Sequence, residues 1–226
     1  MRLPIWLSFF LFLFPLALIP LLLFGDLVIH GLIKLHISSG TASLLLFGML
    51  ATGFVNIPIK RISREKGVVH HPLSIIGLSD YWPRLQRLRQ DTIIAVNVGG
   101  CLIPTGLALY ELWYLSTMGR PALLAVGIVS VVNTVVCYLI ARPVPRIGIA
   151  IPGLVSPVVA AGLAVLVAPD QAPPVAYVAG VIGPLVGADL LHLKDVEKIE
   201  VGVVSIGGAG TFDGIVLSGI VAAYLS

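Results

Sequence analysis

Apolar residues run along this chain in long blocks rather than in the alternation of a half-buried surface element. Seven windows are almost wholly apolar: 5–24, 41–58, 92–115, 121–141, 151–168, 175–193 and 203–225. A helix needs about 20 such residues to cross the hydrocarbon of a bilayer. The pattern therefore predicts an all-α fold, a polytopic transmembrane helical bundle of about seven spans, in one membrane domain covering 1–226. Window 5–24 follows Arg2 in the manner of a signal sequence. No small-residue cleavage site follows at Phe24-Gly25-Asp26, so the segment is expected to stay as an anchor. Residues 26–37 (DLVIHGLIKLHI) mix apolar residues with His30, Lys34 and His36, and are expected to lie along the outer interface.

Composition and charge sharpen this picture. The chain has 226 residues, 58% of them hydrophobic and only 11% charged, against roughly 25% charged in a soluble domain. So few charges cannot cover a water-soluble surface, and the expected solvent is lipid. The net charge of +3 does not point to nucleic acid, because the basic residues fall in loops between apolar windows. Lys and Arg concentrate on the cytoplasmic side of a membrane protein. With seven spans and the N-terminus inside, all but Lys34 and Arg120 of the 14 basic residues fall on that side. The expected topology is N-in, C-out. Within the long basic loop 59–91, Tyr81 and Trp82 beside Arg84, Arg87 and Arg89 suit a layer of anionic lipid headgroups. His70-His71 in that loop lack further ligands at metal spacing and read as loop residues. Cys101 and Cys137 lie in apolar stretches and read as small packing residues. No metal or cofactor is expected.

Ionisable residues at membrane depth are costly and are functional hypotheses by default. Asp189 and His192 fall in the sixth window three residues apart, on one helix face. Asp213 falls in the seventh, inside GGAGTFDGIVLSG. A short mixed-charge loop joins these windows, so the helices must be antiparallel neighbours. Position 201, midway between the aspartates, lies just past that loop. Both carboxyl groups are then expected at one depth, within ~15 Å of the cytoplasmic surface. Two carboxylates in a low-dielectric site cannot both ionise cheaply, so the pair shares a proton, one member a base and the other an acid. Gly207-Gly208-Ala209-Gly210 suggests an unwound approach to the site. Asn97 and Asn133 stand in V-N-x-x-x-C segments of opposite direction, which hints at an inverted pair.

The combination NVGGCLIP, RPVP, GADLLHL and SIGGAGTFDGI resembles a family of uncharacterised bacterial and archaeal membrane proteins, a domain of unknown function. That resemblance covers most of the chain and implies a prokaryotic inner membrane, but no activity. GAGTFDGIVLSGI is similar to the Gly-x-Gly-Asp segment of intramembrane aspartyl proteases of the presenilin and signal peptide peptidase type. GADLLHLK is similar to prepilin peptidases. The second resemblance implies Asp189 and Asp213 as a catalytic pair. The chain departs from it where Thr211 and Phe212 separate Gly210 from Asp213, and where Ala188 replaces the Tyr before the first aspartate.

The leading functional expectation is a small-solute or proton/cation-coupled transporter, with Asn97, Asn133, His192, Gly208 and Gly210 at the binding site around Asp189 and Asp213. The alternative is an aspartyl protease-like hydrolase using the two aspartates. A structural subunit of a membrane complex is the third class.

Overall fold

A computed structural model describes residues 24–65, 89–144, 148–196 and 203–226. Helices α1 (Phe24–Ile33) and α2 (Ser39–Thr52) come first. The Ser38 side chain accepts the Thr41 N–H at 3.2 Å, satisfying one of the free donors in the first turn of α2. Strands β1 (Asn56–Glu65) and β2 (Arg89–Asn97) pair antiparallel, with a bulge between Pro58 and Lys60. Pro58 has no N–H to give the ladder and is tolerated because β1 lies at the sheet edge. A π-helical turn (Val98–Leu102) leads into α3 (Ile103–Thr117), and α4 (Arg120–Ile140) follows. A hairpin of β3 (Arg142–Val144) and β4 (Gly148–Ala150) precedes α5 (Val155–Val167). Helix α6 (Ala172–Ile182) continues through a π-helical segment (Gly183–Leu190) towards α7 (Leu193–Val196). Strand β5 (Val203–Ile206) and a 3-10 turn (Gly210–Phe212) end in α8 (Gly214–Leu225).

The fold is mostly helical but not all-α, which corrects the expectation from sequence. One sheet has the order β1-β2-β5 and a second pairs β3 with β4. Strand β5 joins β2 in parallel, Ile93 opposite Val203 and Val96 opposite Ile206. Windows 41–58, 92–115 and 203–225 each end or begin in a strand. Their helical parts are Ser39–Thr52, Ile103–Thr117 and Gly214–Leu225. The physical reason lies in the residues. IIAV and VVSI are short β-branched runs, and periodicity alone cannot tell such a run from a buried helix segment.

Among the described residues two helices are long and apolar enough to cross a membrane, Arg120–Ile140 and the continuous helix Pro169–Asp195. The second is the core of the bundle. Val175 to Val181 are all buried, and α3, α4, α5 and α8 surround them. Helix α6 is apolar on every face because it meets protein on every face. Prolines sit in the first turns of α3, α4 and α6, where the missing N–H has no intrahelical partner to lose. Small residues let the backbones close: Gly180 lies against Ser218 and Gly219 of α8, and Gly187 against Thr134 and Cys137 of α4. The outer faces carry large apolar side chains such as Leu44, Phe47, Leu124, Leu139 and Leu166.

Residues 26–37 also depart from expectation. Phe24 stacks on Phe212 at 4.8 Å, Gly31 abuts the Ile220 carbonyl, and the Lys34 ammonium donates to the Tyr224 carbonyl at 2.6 Å. Helix α1 therefore runs lengthwise beside α8 and in the same direction, not along one end of the bundle. Its apolar face, Val28, Leu32 and Leu35, is needed to cover that neighbour. The anchor at 5–24, apart from Phe24, lies outside the described residues, as do His70, His71, Tyr81, Trp82, Arg84 and Arg87.

Candidate functional site

Asp213 is fixed in place by the start of α8. It is the N-cap residue, in extended backbone conformation, and its Oδ1 accepts the Ile215 N–H at 3.0 Å. Its Oδ2 accepts the Ala209 N–H at 3.3 Å. Both carboxylate oxygens thus face backbone donors, and the positive end of α8 adds to the field there. The turn before it requires glycine. Gly207 has φ +72 and Gly210 φ +62, and Gly207 lies against the Gly100 backbone from the parallel strand. A side chain at Gly207 faces a backbone conformation that L residues rarely adopt and has no space besides.

Asp189 arrives from the other direction, on the π-helical segment after α6. Pro184 has no N–H for the carbonyl four residues back, and the ladder slips to longer bonds, as where the Leu191 N–H donates to the Val186 carbonyl at 3.0 Å. Such π segments occur disproportionately at functional sites. Among the described residues the Asp189 carboxylate has no hydrogen-bond partner, unlike Asp213.

The two aspartates line one cavity of about 330 Å³. Its remaining described walls are Gly148 and Ile149 of β4, Leu193, all of β5, and the turn Gly207-Gly208-Ala209. No Lys, Arg or His lines it among the described residues. The cavity is thus acidic, partly apolar, and walled by strand backbone on two sides. Among the described residues β5 pairs only with β2 and β4 only with β3, so each has one edge without a strand partner.

The other residues singled out from sequence fall in different places. Gly208 lines the cavity, whereas Gly210 packs on Gly53. His192 is buried, its Nδ1 lies 3.0 Å from the Gly187 carbonyl, and its ring packs on Tyr138 at 4.8 Å. Asn97 is fully buried and accepts the Gly100 N–H at 2.7 Å, while its amide donates to the Gly53 carbonyl and to Asn56. Ser205 of the cavity wall donates to the same Asn56 oxygen, tying the three strands together. Asn133 sits deeper, donating to Ser156 and to the Ala179 carbonyl, both at 2.9 Å. Neither asparagine lines the cavity.

One ionisable pair escaped the reading of the sequence. Glu111 of α3 is completely buried, and its Oε2 lies 3.0 Å from His36 Nδ1. Its Oε1 accepts the His36 N–H at 3.2 Å. The signal was available, since Glu111 is a lone carboxylate within the window 92–115. It was obscured by lying near the window's end, where a charge is unremarkable.

A family model described as Protein of unknown function (DUF1614) matches residues 50–225. The matched span includes both aspartates and every strand. No curated protein and no solved structure matches the chain.

Proposed function

The chain belongs to the DUF1614 family, and from that membership we propose that it is a multi-pass membrane protein whose two aspartates form an acid–base pair for peptide hydrolysis. The observation that carries this reading is the shared cavity. Asp189 and Asp213 come from elements of opposite direction, line the same space, and have no cationic side chain beside them there among the described residues. Membrane placement is supported by the outward-facing Leu and Phe residues on the helices and by the two long apolar helices. Orientation is supported by charge. Lys60, Arg61, Arg142 and Lys194 belong to elements at the strand end, while Lys34 and Arg120 lie at the opposite end. Basic residues favour the cytoplasmic side and its anionic headgroups, so the aspartates open towards the cytoplasm.

The chemistry follows from the different environments of the two groups. Two N–H donors and the start of α8 suit Asp213 to carry negative charge. Asp189 has no such donor among the described residues and is suited to hold the proton. Asp213 then takes a proton from water as its oxygen attacks the peptide carbonyl carbon, and Asp189 gives its proton to the carbonyl oxygen. Collapse of the tetrahedral intermediate breaks the C–N bond as the leaving amine takes a proton from Asp213 and one of the two hydroxyls on the carbon returns its proton to Asp189, leaving a carboxylic acid and the starting pair. An extended peptide suits the walls, since it can bond to the edges of β4 and β5 and so add a strand to each sheet.

The test is cleavage of extended peptides by the purified full chain in lipid nanodiscs. Wild type is expected to cleave, and Asp189→Asn and Asp213→Asn are each expected to lose cleavage. Full cleavage by either variant overturns the assignment. A proton- or cation-coupled transporter on the same pair is the second reading, favoured by the broken helix beside Asp189. It expects aspartate-dependent solute uptake into liposomes with no cleavage.

A further inference from the structure

We propose that a second cavity, between α2 and α3, binds a single-chain amphiphile with an anionic head. This inference rests on the membrane placement above and not on the hydrolase chemistry. The cavity has about 580 Å³, a size usual for small-molecule sites; its His36 and Tyr110 end lies away from the aspartates, and Leu102 and Ile103 lie towards the strand end. Its polarity is graded along its length. His36, Ser38, Thr41 and Tyr110 line one end, and Leu45, Leu102, Ile103 and Leu107 line the rest. Helices α2 and α3 run antiparallel, so the polar start of α2 meets the Tyr110 end of α3. From Tyr110 back to Ile103 the α3 wall covers ~10 Å at 1.5 Å per residue, all of it apolar or glycine apart from Thr105, which does not line the cavity.

The polar end is a built arrangement. Glu111 holds the His36 ring through Nδ1, and Tyr114 stacks on it at 3.5 Å, leaving Nε2 as the free ring nitrogen. The Tyr110 hydroxyl fixes the His36 carbonyl at 3.1 Å, and the Ser38 and Thr41 hydroxyls share one hydrogen bond at 2.9 Å. With Nδ1 held by Glu111, protonated His36 has its Nε2–H to give to an anion, and the Ser38 and Thr41 hydroxyls and the start of a 14-residue helix add donors beside it. Leu102 at the apolar end is exposed, as are Phe47 and Leu44 on the neighbouring helix α2. A hydrocarbon tail enters there from the bilayer without crossing a polar barrier. The shared ligand chemistry is one acyl chain with a carboxylate or phosphate head.

The test uses the full chain in phosphatidylcholine nanodiscs with three photoactivatable C16 probes: a fatty acid, a lysophosphatidic acid and a fatty alcohol. Both anionic probes, or the one whose head is the natural source, are expected to label residues 38–45 and 102–110. The alcohol is expected to label them about tenfold less. Gly106 lines the cavity, and a Cβ there meets nothing within 4 Å. Gly106→Trp therefore projects a side chain into the space and is expected to remove the labelling, with Gly106→Leu as the milder variant should the first fold poorly. His36→Gln/Glu111→Gln keeps the cavity and removes its charges, and is expected to bring anionic labelling down to the level of the alcohol. Three results overturn the proposal. One is label spread evenly over outer faces such as Leu124, Leu139 and Leu166, or no label at all. The second is labelling unchanged by either Gly106 variant. The third is a crosslink between two copies of the chain at this cleft.

Discussion

Gly100 and Gly207 meet backbone to backbone, at the point where the two parallel strands β2 and β5 each turn towards a helix. A Cβ on Gly100 would press into the Gly207 carbonyl and reach the Gly210 carbonyl at 2.9 Å. Neither obstacle is a flexible side chain. This contact holds the turn that carries Asp213 against the start of α3.

Gly100→Ala is accordingly expected to destabilise the protein by at least the ~1–3 kcal/mol typical of overpacking. Gly127→Ala supplies the contrast, because Gly127 lies in α4 with nothing within 4 Å of an added Cβ. There the substitution is expected to be neutral or to stabilise by up to ~1 kcal/mol through helix propensity. Thermal unfolding of the two variants in the same detergent measures both effects. A wild-type midpoint for Gly100→Ala contradicts the backbone contact.

The helices were legible from the sequence because long apolar runs leave few alternatives. Windows 121–141 and 175–193 correspond closely to Arg120–Ile140 and to the helix Pro169–Asp195. The strands were not legible, for a physical reason. Parallel pairing of Ile93 with Val203 joins residues 110 positions apart, and no local pattern announces it. The aspartates were legible as rare charges in apolar surroundings, and the short connection between their helices put them at one level. Their different hydrogen bonding was not, since Ala209 and Ile215 donate backbone N–H groups to Asp213 through a turn that no local pattern announces. Asn97 and Asn133 looked like solute ligands for the same reason that the aspartates looked functional. Buried amides serve packing equally well, and theirs are engaged with backbone carbonyls.

Asp213 has a structural task that Asp189 lacks, and substitution should separate the two. Asp213→Ala removes the cap of α8 and is expected to cost ~0.5–2 kcal/mol, whereas Asp213→Asn keeps a capping oxygen and most of the stability. Asp189→Asn removes a carboxylate with no hydrogen-bond partner among the described residues and is expected to leave stability unchanged or raised. All three variants are expected to lose peptide cleavage. Comparing unfolding midpoints with cleavage rates tests this, and a destabilised Asp189→Asn contradicts it.

Asn133→Ala is expected to cost stability rather than chemistry. The amide joins α4 to Ser156 and to the Ala179 carbonyl just before α6 changes to π-helical form. Its loss removes two buried hydrogen bonds, although Ser156 keeps Ser218 and the Ala179 carbonyl keeps the Gly183 N–H, at about 0.5–1.5 kcal/mol each. Per folded molecule, activity should stay within a few-fold of wild type. Loss of activity in a fully stable Asn133→Ala protein would instead place this side chain in contact with a solute and favour the transport reading.

The pair His36–Glu111 offers the sharpest test of burial. Glu111 has no exposure and its charge partner is His36, whose side chain is 29% exposed. Removing only the imidazole leaves the buried carboxylate with the residue 36 backbone N–H but without its ring partner, and breaking a buried pair from one side typically costs up to ~3–5 kcal/mol. His36→Gln should therefore unfold at a much lower temperature than wild type. Adding Glu111→Gln removes the stranded charge, and two amides of similar shape can still share a hydrogen bond. The double variant is expected to recover most of the loss, so that the two effects are far from additive. Unfolding of wild type, both single variants and the double variant under one set of conditions gives the coupling. Additive losses would mean that Glu111 does not depend on His36, and that its burial is sustained by some other contact in the bundle.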